Sequence, residues 1–142
     1  MSRYLLDTNI LTAYLRGRSK VVAVVDPWIA ADEAATSIVV YGEVVEYLQR
    51  LSDTAYAHHL GLLRGLLSQR VYPFPLTYAI LERYATLRRS LRQPYGAGLI
   101  GDIDTLIAAS ALEHELEIVT TDSDFTRVPD LGVRLIPRAD LK

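Results

Sequence analysis

An α/β fold built on a short, mainly parallel β-sheet is predicted by three features of the sequence. Short apolar strand segments alternate with amphipathic helical segments, the connections between them are brief, and 142 residues supply one domain's length with no linker, repeat or low-complexity tract. A single domain over residues 1–142 is therefore expected. Half of the residues are hydrophobic and 23% are charged, which excludes a disordered chain, a collagen-like repeat and a coiled coil. Cysteine is absent, so a disulfide framework, a thiolate zinc site and a cysteine nucleophile are excluded together.

Arg3 to Leu6 reads as a short buried strand, and Thr8 and Asn9 offer capping chemistry for a helix from Ile10 to Arg16 that stops at Gly17. Val21 to Ala31 is a second, shorter helical candidate, divided by Pro27, which belongs near a helix start. Ala35 to Ser37 is a candidate strand. Val40, Val44, Leu48 and Leu51 then recur at helical spacing, which predicts a helix over Val39–Leu51. Ser52-Asp53-Thr54 caps a helix reaching Gln69, with Leu60, Leu63, Leu66 and Leu67 on one face.

Val71 to Phe74, hemmed by Pro73 and Pro75, can only be a short edge strand. Thr77 caps a helix to Arg92 whose apolar stripe is Ile80, Leu81, Tyr84, Leu87 and Leu91. Pro94 to Gly101 is a loop, and Gly101 to Glu115 is a helix apolar nearly all round, hence buried on more than one side. Glu117 to Thr120 and Val133 to Ile136 complete a sheet of four or five strands. The tyrosines fall mostly at stripe positions and read as core.

The net charge of −2 argues against a protein that coats nucleic acid electrostatically, but charge is segregated along the chain. Seven basic residues between Arg50 and Arg92 face two acids, Asp53 and Glu82. From Gln93 to Thr126 there is no Lys or Arg, while Asp102, Asp104, Glu113, Glu115, Glu117, Asp122 and Asp124 accumulate. Acids in so apolar a stretch must find a cation elsewhere or bear a desolvation cost, and a metal ion is one candidate. No secretory signal follows Arg3, and the most apolar windows, Val21–Val25 and Ile38–Tyr41, fall far short of a bilayer span. A soluble cytoplasmic protein is the expectation.

In an open parallel sheet every strand ends at one edge, where the following helix begins. Asp7 follows the first strand, Asp122 follows the strand Glu117–Thr120, Asp104 sits in the first turn of the buried helix, and Glu43 lies about one turn into its own. Four acids from distant segments are thereby brought to one edge. Clustered carboxylates repel one another unless they share protons or a cation, and an all-oxygen set away from His58, His59 and His114 selects Mg²⁺ or Mn²⁺. Such an ion activates water and stabilises charge on a phosphodiester, which points to a nuclease.

Each acid also has a plainer reading. Asp7 and Asp102 suit helix N-caps, Asp104 suits the dipole of its helix, Glu43 and Glu46 suit a solvated face, and Asp122 and Asp124 suit Asx turns ahead of Phe125. His58-His59 reads as a solvated surface pair. Neither a phosphate-binding glycine loop nor a nucleophile-elbow serine is present.

Four segments in this order closely resemble the PIN-domain family, and within it the small VapC-type toxins of prokaryotic toxin–antitoxin modules. They are Tyr4 to Leu11, Ser37 to Val44, Ile100 to Leu112 and Val119 to Phe125, and together they span nearly the whole chain. The resemblance implies a Rossmann-like α/β/α sandwich, a Mg²⁺- or Mn²⁺-dependent ribonuclease, and a homodimer inhibited by a cognate VapB-like antitoxin. Carried over by position, it implies that Asp7, Glu43 and Asp104 bind the metal with Asp122 as fourth acid, Asp124 being the competing choice. Thr8, Asn9 and Thr121 match polar supporting positions, whereas Asp102 matches no core acid of the family and reads as a neighbour supporting the metal-binding acids or only as a cap. Arg83, Arg88, Arg89 and Arg92 are candidates for holding the RNA backbone, for antitoxin contact, or for a solvated helix face. A PIN-type RNA-processing nuclease without an antitoxin, and a non-catalytic module whose acidic edge receives basic side chains, are the alternatives.

Overall fold

The computed structural model describes all residues, 1–142. Five strands form one sheet in the order β3-β2-β1-β4-β5, and every neighbouring pair is parallel. They are β1 (Tyr4–Leu6), β2 (Ala34–Ser37), β3 (Tyr72–Phe74), β4 (Glu117–Thr120) and β5 (Val133–Leu135). The helices are α1 (Thr8–Leu15), α2 (Ser19–Ala30), α3 (Ile38–Leu48), α4 (Asp53–Gln69), α5 (Tyr78–Leu91) and α6 (Asp102–Glu113). Short 3₁₀ turns span Ser123–Arg127 and Arg138–Leu141.

All residues of β1 and β2 are buried on both faces, as a sheet covered by helices on each side requires. The α/β sandwich expected from the sequence is what forms, with β3 and β5 as its short edges. Strand order reverses at β1: the chain first runs outward through β2 and β3, then returns to place β4 on the other side. A crevice opens at the carboxyl ends of β1 and β4 at such a reversal. No helix is long and apolar enough to cross a membrane.

Five expectations change. Thr8 and Asn9 are not caps but the first turn of α1; the cap is Asp7, whose side chain accepts from the Thr8 amide. Helix α2 runs unbroken through Pro27, because Val21, Val25 and Ile29 form one buried line and Trp28 stacks on Tyr4 with ring centroids 4.0 Å apart. That packing offsets the roughly 3 kcal/mol that an interior proline costs. Helix α3 ends at Leu48, with Leu51 reached by a turn. On α5 the buried line is Ile80, Leu87 and Leu91, while Leu81, one residue around the helix, is exposed. Of the nine tyrosines only Tyr4 is buried, while Tyr14, Tyr41, Tyr47, Tyr56 and Tyr84 pack half-buried against the core.

Candidate active site

Strand β1 leads straight into the site. The amide of Asp7 extends the sheet ladder by donating to the Val119 carbonyl at 3.0 Å, which sets Asp7 beside the end of β4. Its side chain lies in the core with the residue only 6% exposed. Both carboxylate oxygens are engaged: Oδ1 accepts from the Thr8 amide at 2.8 Å and Oδ2 from the Thr120 hydroxyl at 2.7 Å.

From Asp7 the contacts spread in two directions. The Thr8 hydroxyl donates to Glu43 Oε1 at 2.5 Å, reaching α3, where buried Val40 and Val44 hold the helix and leave Glu43 half-buried on its flank. On the other side the Asp122 amide donates to Thr120 Oγ1 at 3.1 Å, and the Asp124 amide donates to Asp122 Oδ1 at 2.8 Å. Asp122 thus caps the 3₁₀ turn that fully buried Phe125 anchors in the core. Asn9 Nδ2 donates to Thr121 Oγ1 at 3.3 Å, a second bridge between the same two elements.

Asp104 enters from the first turn of α6 and is half-buried. Burial first, then repulsion by Asp7, Asp122, Glu43 and Asp124, pushes its carboxyl up to about 6. Asp7 is also raised, mainly by burial; the Thr120 and Thr8 hydrogen bonds oppose the shift, and the charges of Glu43 and Asp122 add to it. Asp7 and Asp104 therefore both lie within the field of Glu43 and Asp122.

None of those four is in an ion pair, whereas the acids flanking them are. Asp124 pairs with Arg127 at 3.3 Å, and exposed Asp102 pairs with Arg88 at 3.1 Å. Asp102 is not the cap either: Gly101 occupies that position and Asp102 begins the helix. An uncompensated group of oxygen donors suits a hard divalent cation by its chemistry. As the side chains stand, no three acidic or histidine groups converge closely enough to hold one, so they are charge neighbours rather than a closed cage.

The four arginines divide. Arg83 pairs with Glu113 at 3.1 Å; Arg88, besides its pair with Asp102, donates to the Ile100 carbonyl at 3.4 Å. Arg89 and Arg92 are exposed and unpaired by acids. His58 and His59 meet edge to face on α4 with no carboxylate partner, and His114 stacks on Phe74. Two residues escaped the sequence reading: Thr120, taken only as the end of a strand, and Arg127, which neutralises Asp124. A hydroxyl closing the otherwise apolar run Ile-Val-Thr was the available signal for the first.

Residues 4–131 match the PIN domain family. The chain belongs to that family. The PIN domain is 35% identical over 106 residues to ribonuclease VapC4 of Mycobacterium tuberculosis, an alignment covering 73% of this chain and 78% of that protein, and so belongs with the VapC proteins of the family. Its fold is similar to that in VapBC2 from Rickettsia felis bound to a DNA fragment from their promoter, with TM-score 0.80, 23% identity and coverage of 94% of this chain and 98% of that one. It is similar as well to a toxin–antitoxin complex from Klebsiella pneumoniae, with TM-score 0.69, 26% identity and coverage of 94% and 96%.

Proposed function

We propose that this PIN domain, acting as one unit over residues 1–142, is the ribonuclease toxin of a toxin–antitoxin pair. It hydrolyses RNA phosphodiesters with Mg²⁺ or Mn²⁺ bound by Asp7, Glu43, Asp104 and Asp122. The observation that carries the reading is the group of four acids at the β1/β4 crevice, none neutralised by a basic side chain. When bound, the ion offsets their repulsion and stabilises negative charge on a phosphodiester under attack by water.

The protein's own groups prepare that step. Asp7 is fixed by a donor on each oxygen, so its remaining lone pairs point in set directions. Glu43 is held by the Thr8 hydroxyl, which ties its aim to the same strand end. Asp104, with a carboxyl pushed up to about 6, takes up a proton in mild acid and competes there with the metal. Asp122 rather than Asp124 is the fourth acid, because Arg127 already neutralises Asp124. Arg89 and Arg92, having no acidic partners, are the better placed of the four arginines to meet RNA phosphates, an attraction that weakens with salt.

A VapB-like antitoxin, a homodimer and a cytoplasmic setting belong to the same reading. Support for the antitoxin is that similar structures were solved as VapBC or toxin–antitoxin complexes. The test is incubation of the purified protein with a mixed RNA substrate in Mg²⁺ or Mn²⁺, and again after chelation. Cleavage that stops on chelation and returns with the ion is expected; cleavage indifferent to chelation contradicts the proposal. Light scattering, and co-expression with the product of any small reading frame found directly upstream of the gene, test the assembly; a strict monomer with no such partner favours a stand-alone processing nuclease.

A further inference from the structure

We infer that Thr120 is a positioning residue whose single hydroxyl aligns Asp7 and Asp122 for metal binding, an inference that rests on reading those two acids as metal-binding. Thr120 closes β4 and is completely buried. A hydroxyl in such a place must find partners or forfeit hydration without return. Its partners both belong to the site: it donates its one proton to Asp7 Oδ2 at 2.7 Å and accepts the Asp122 amide at 3.1 Å. With its donor and an acceptor lone pair both committed, and with a β-branched side chain stiff about χ1, the hydroxyl has no freedom to turn.

Two consequences follow. The Thr120 proton on Oδ2, set against the Thr8 amide on Oδ1, fixes the plane of the Asp7 carboxylate. The same oxygen also fixes the start of the 3₁₀ turn carrying Asp122, so the spacing between the first and fourth acids is set by one atom. Thr36, equally buried and one residue before the end of β2, makes a useful contrast: its hydroxyl donates to the Leu6 carbonyl rather than to an acid. Hydrogen-bonding partners of metal-binding groups typically change metal affinity about 10–100-fold when removed.

The experiment is calorimetric titration of Mn²⁺ alone into the parent, Thr120→Val, Thr120→Ser and Asp7→Asn, with melting temperatures in parallel. Valine keeps the branched shape and removes the hydroxyl; serine keeps the hydroxyl and removes the methyl. Thr120→Val should bind Mn²⁺ about 10–100-fold more weakly while unfolding cooperatively. Thr120→Ser should stay within about threefold of the parent even where its melting temperature falls, a pattern that loss of packing alone does not give. Parent-like Mn²⁺ affinity in Thr120→Val overturns the inference, as does a Thr120→Ser variant as weak as the valine. Should Asp7→Asn bind as the parent does, or the folded parent take up no Mn²⁺, the metal-site reading itself falls and the inference falls with it.

Discussion

Replacing Asp104 by Asn should stabilise the metal-free protein at neutral pH, the reverse of what removal of an ordinary helix-start acid does. The Asp104 carboxyl is pushed from 3.8 to about 6 by burial and by four neighbouring acids. Taken whole, that shift equals about 3 kcal/mol of unfavourable energy in the ionised form. Asp104 is only half-buried, so solvent screening reduces this to about 1–2 kcal/mol, and losing a charge near the α6 amino terminus gives back about 0.3–1 kcal/mol. A net gain of about 1 kcal/mol remains, which is about 3–5 °C in melting temperature for a chain of this length.

The pH dependence carries the same sign. A folded carboxyl raised above its unfolded value binds more protons than the unfolded chain between about pH 4 and 6, so the parent loses stability as pH rises through that window. The advantage of Asp104→Asn should therefore be full above about pH 7 and close below about pH 4. Thermal and urea unfolding in a chelator, run from pH 4 to 8, reads this directly. A variant less stable than the parent at pH 7, or an advantage that does not change with pH, refutes the idea that Asp104 sits in the repulsive field of the other acids.

Adding Mn²⁺ to the parent should raise its stability by about 2.7 kcal/mol at a hundredfold excess over Kd, and by less at pH 5.5 than at pH 7.5, because protons compete at Asp104; equal shifts at both pH values would count against competition. Phe125→Ala should lower stability by about 3–5 kcal/mol and weaken Mn²⁺ binding together, since fully buried Phe125 anchors the turn that Asp122 caps; differential calorimetry and titration check both. Asp102→Asn, breaking an exposed pair with Arg88, should cost no more than about 1 kcal/mol and leave RNA cleavage near the parent rate, which denaturant unfolding and a cleavage assay measure together.

The architecture was legible because its signals were local. Alternation of apolar strands with striped helices gave the parallel sheet, and side-chain caps such as Ser52 and Thr77 marked helix starts that the structure keeps. Pro27 misled, since its penalty is read locally while the buried line Val21, Val25 and Ile29 that overrides it acts through tertiary packing. The acids could be named because each stands just after a strand or near a helix start, where topology alone brings distant segments together. What sequence could not supply was which charges are matched. Asp102 and Asp124 look much like Asp104 and Asp122 until Arg88 and Arg127 are seen to reach them from α5 and from one turn further on. Thr120 stayed hidden because a threonine suits any strand, and only its two partners distinguish it from Thr36.

The proposed function requires Asp7, Glu43, Asp104 and Asp122 to act as one metal-dependent centre for RNA hydrolysis. The most direct measurement is the single-turnover rate of RNA cleavage at saturating Mn²⁺ for the parent, for Asp7→Asn, Glu43→Gln, Asp104→Asn and Asp122→Asn, and for Asp102→Asn and Asp124→Asn as flanking controls. Each of the first four should fall by about 100-fold or more, while the two controls stay within about threefold of the parent. Parent-like cleavage by Asp7→Asn or Asp104→Asn, or an inactive Asp124→Asn beside an active Asp122→Asn, would contradict the assignment.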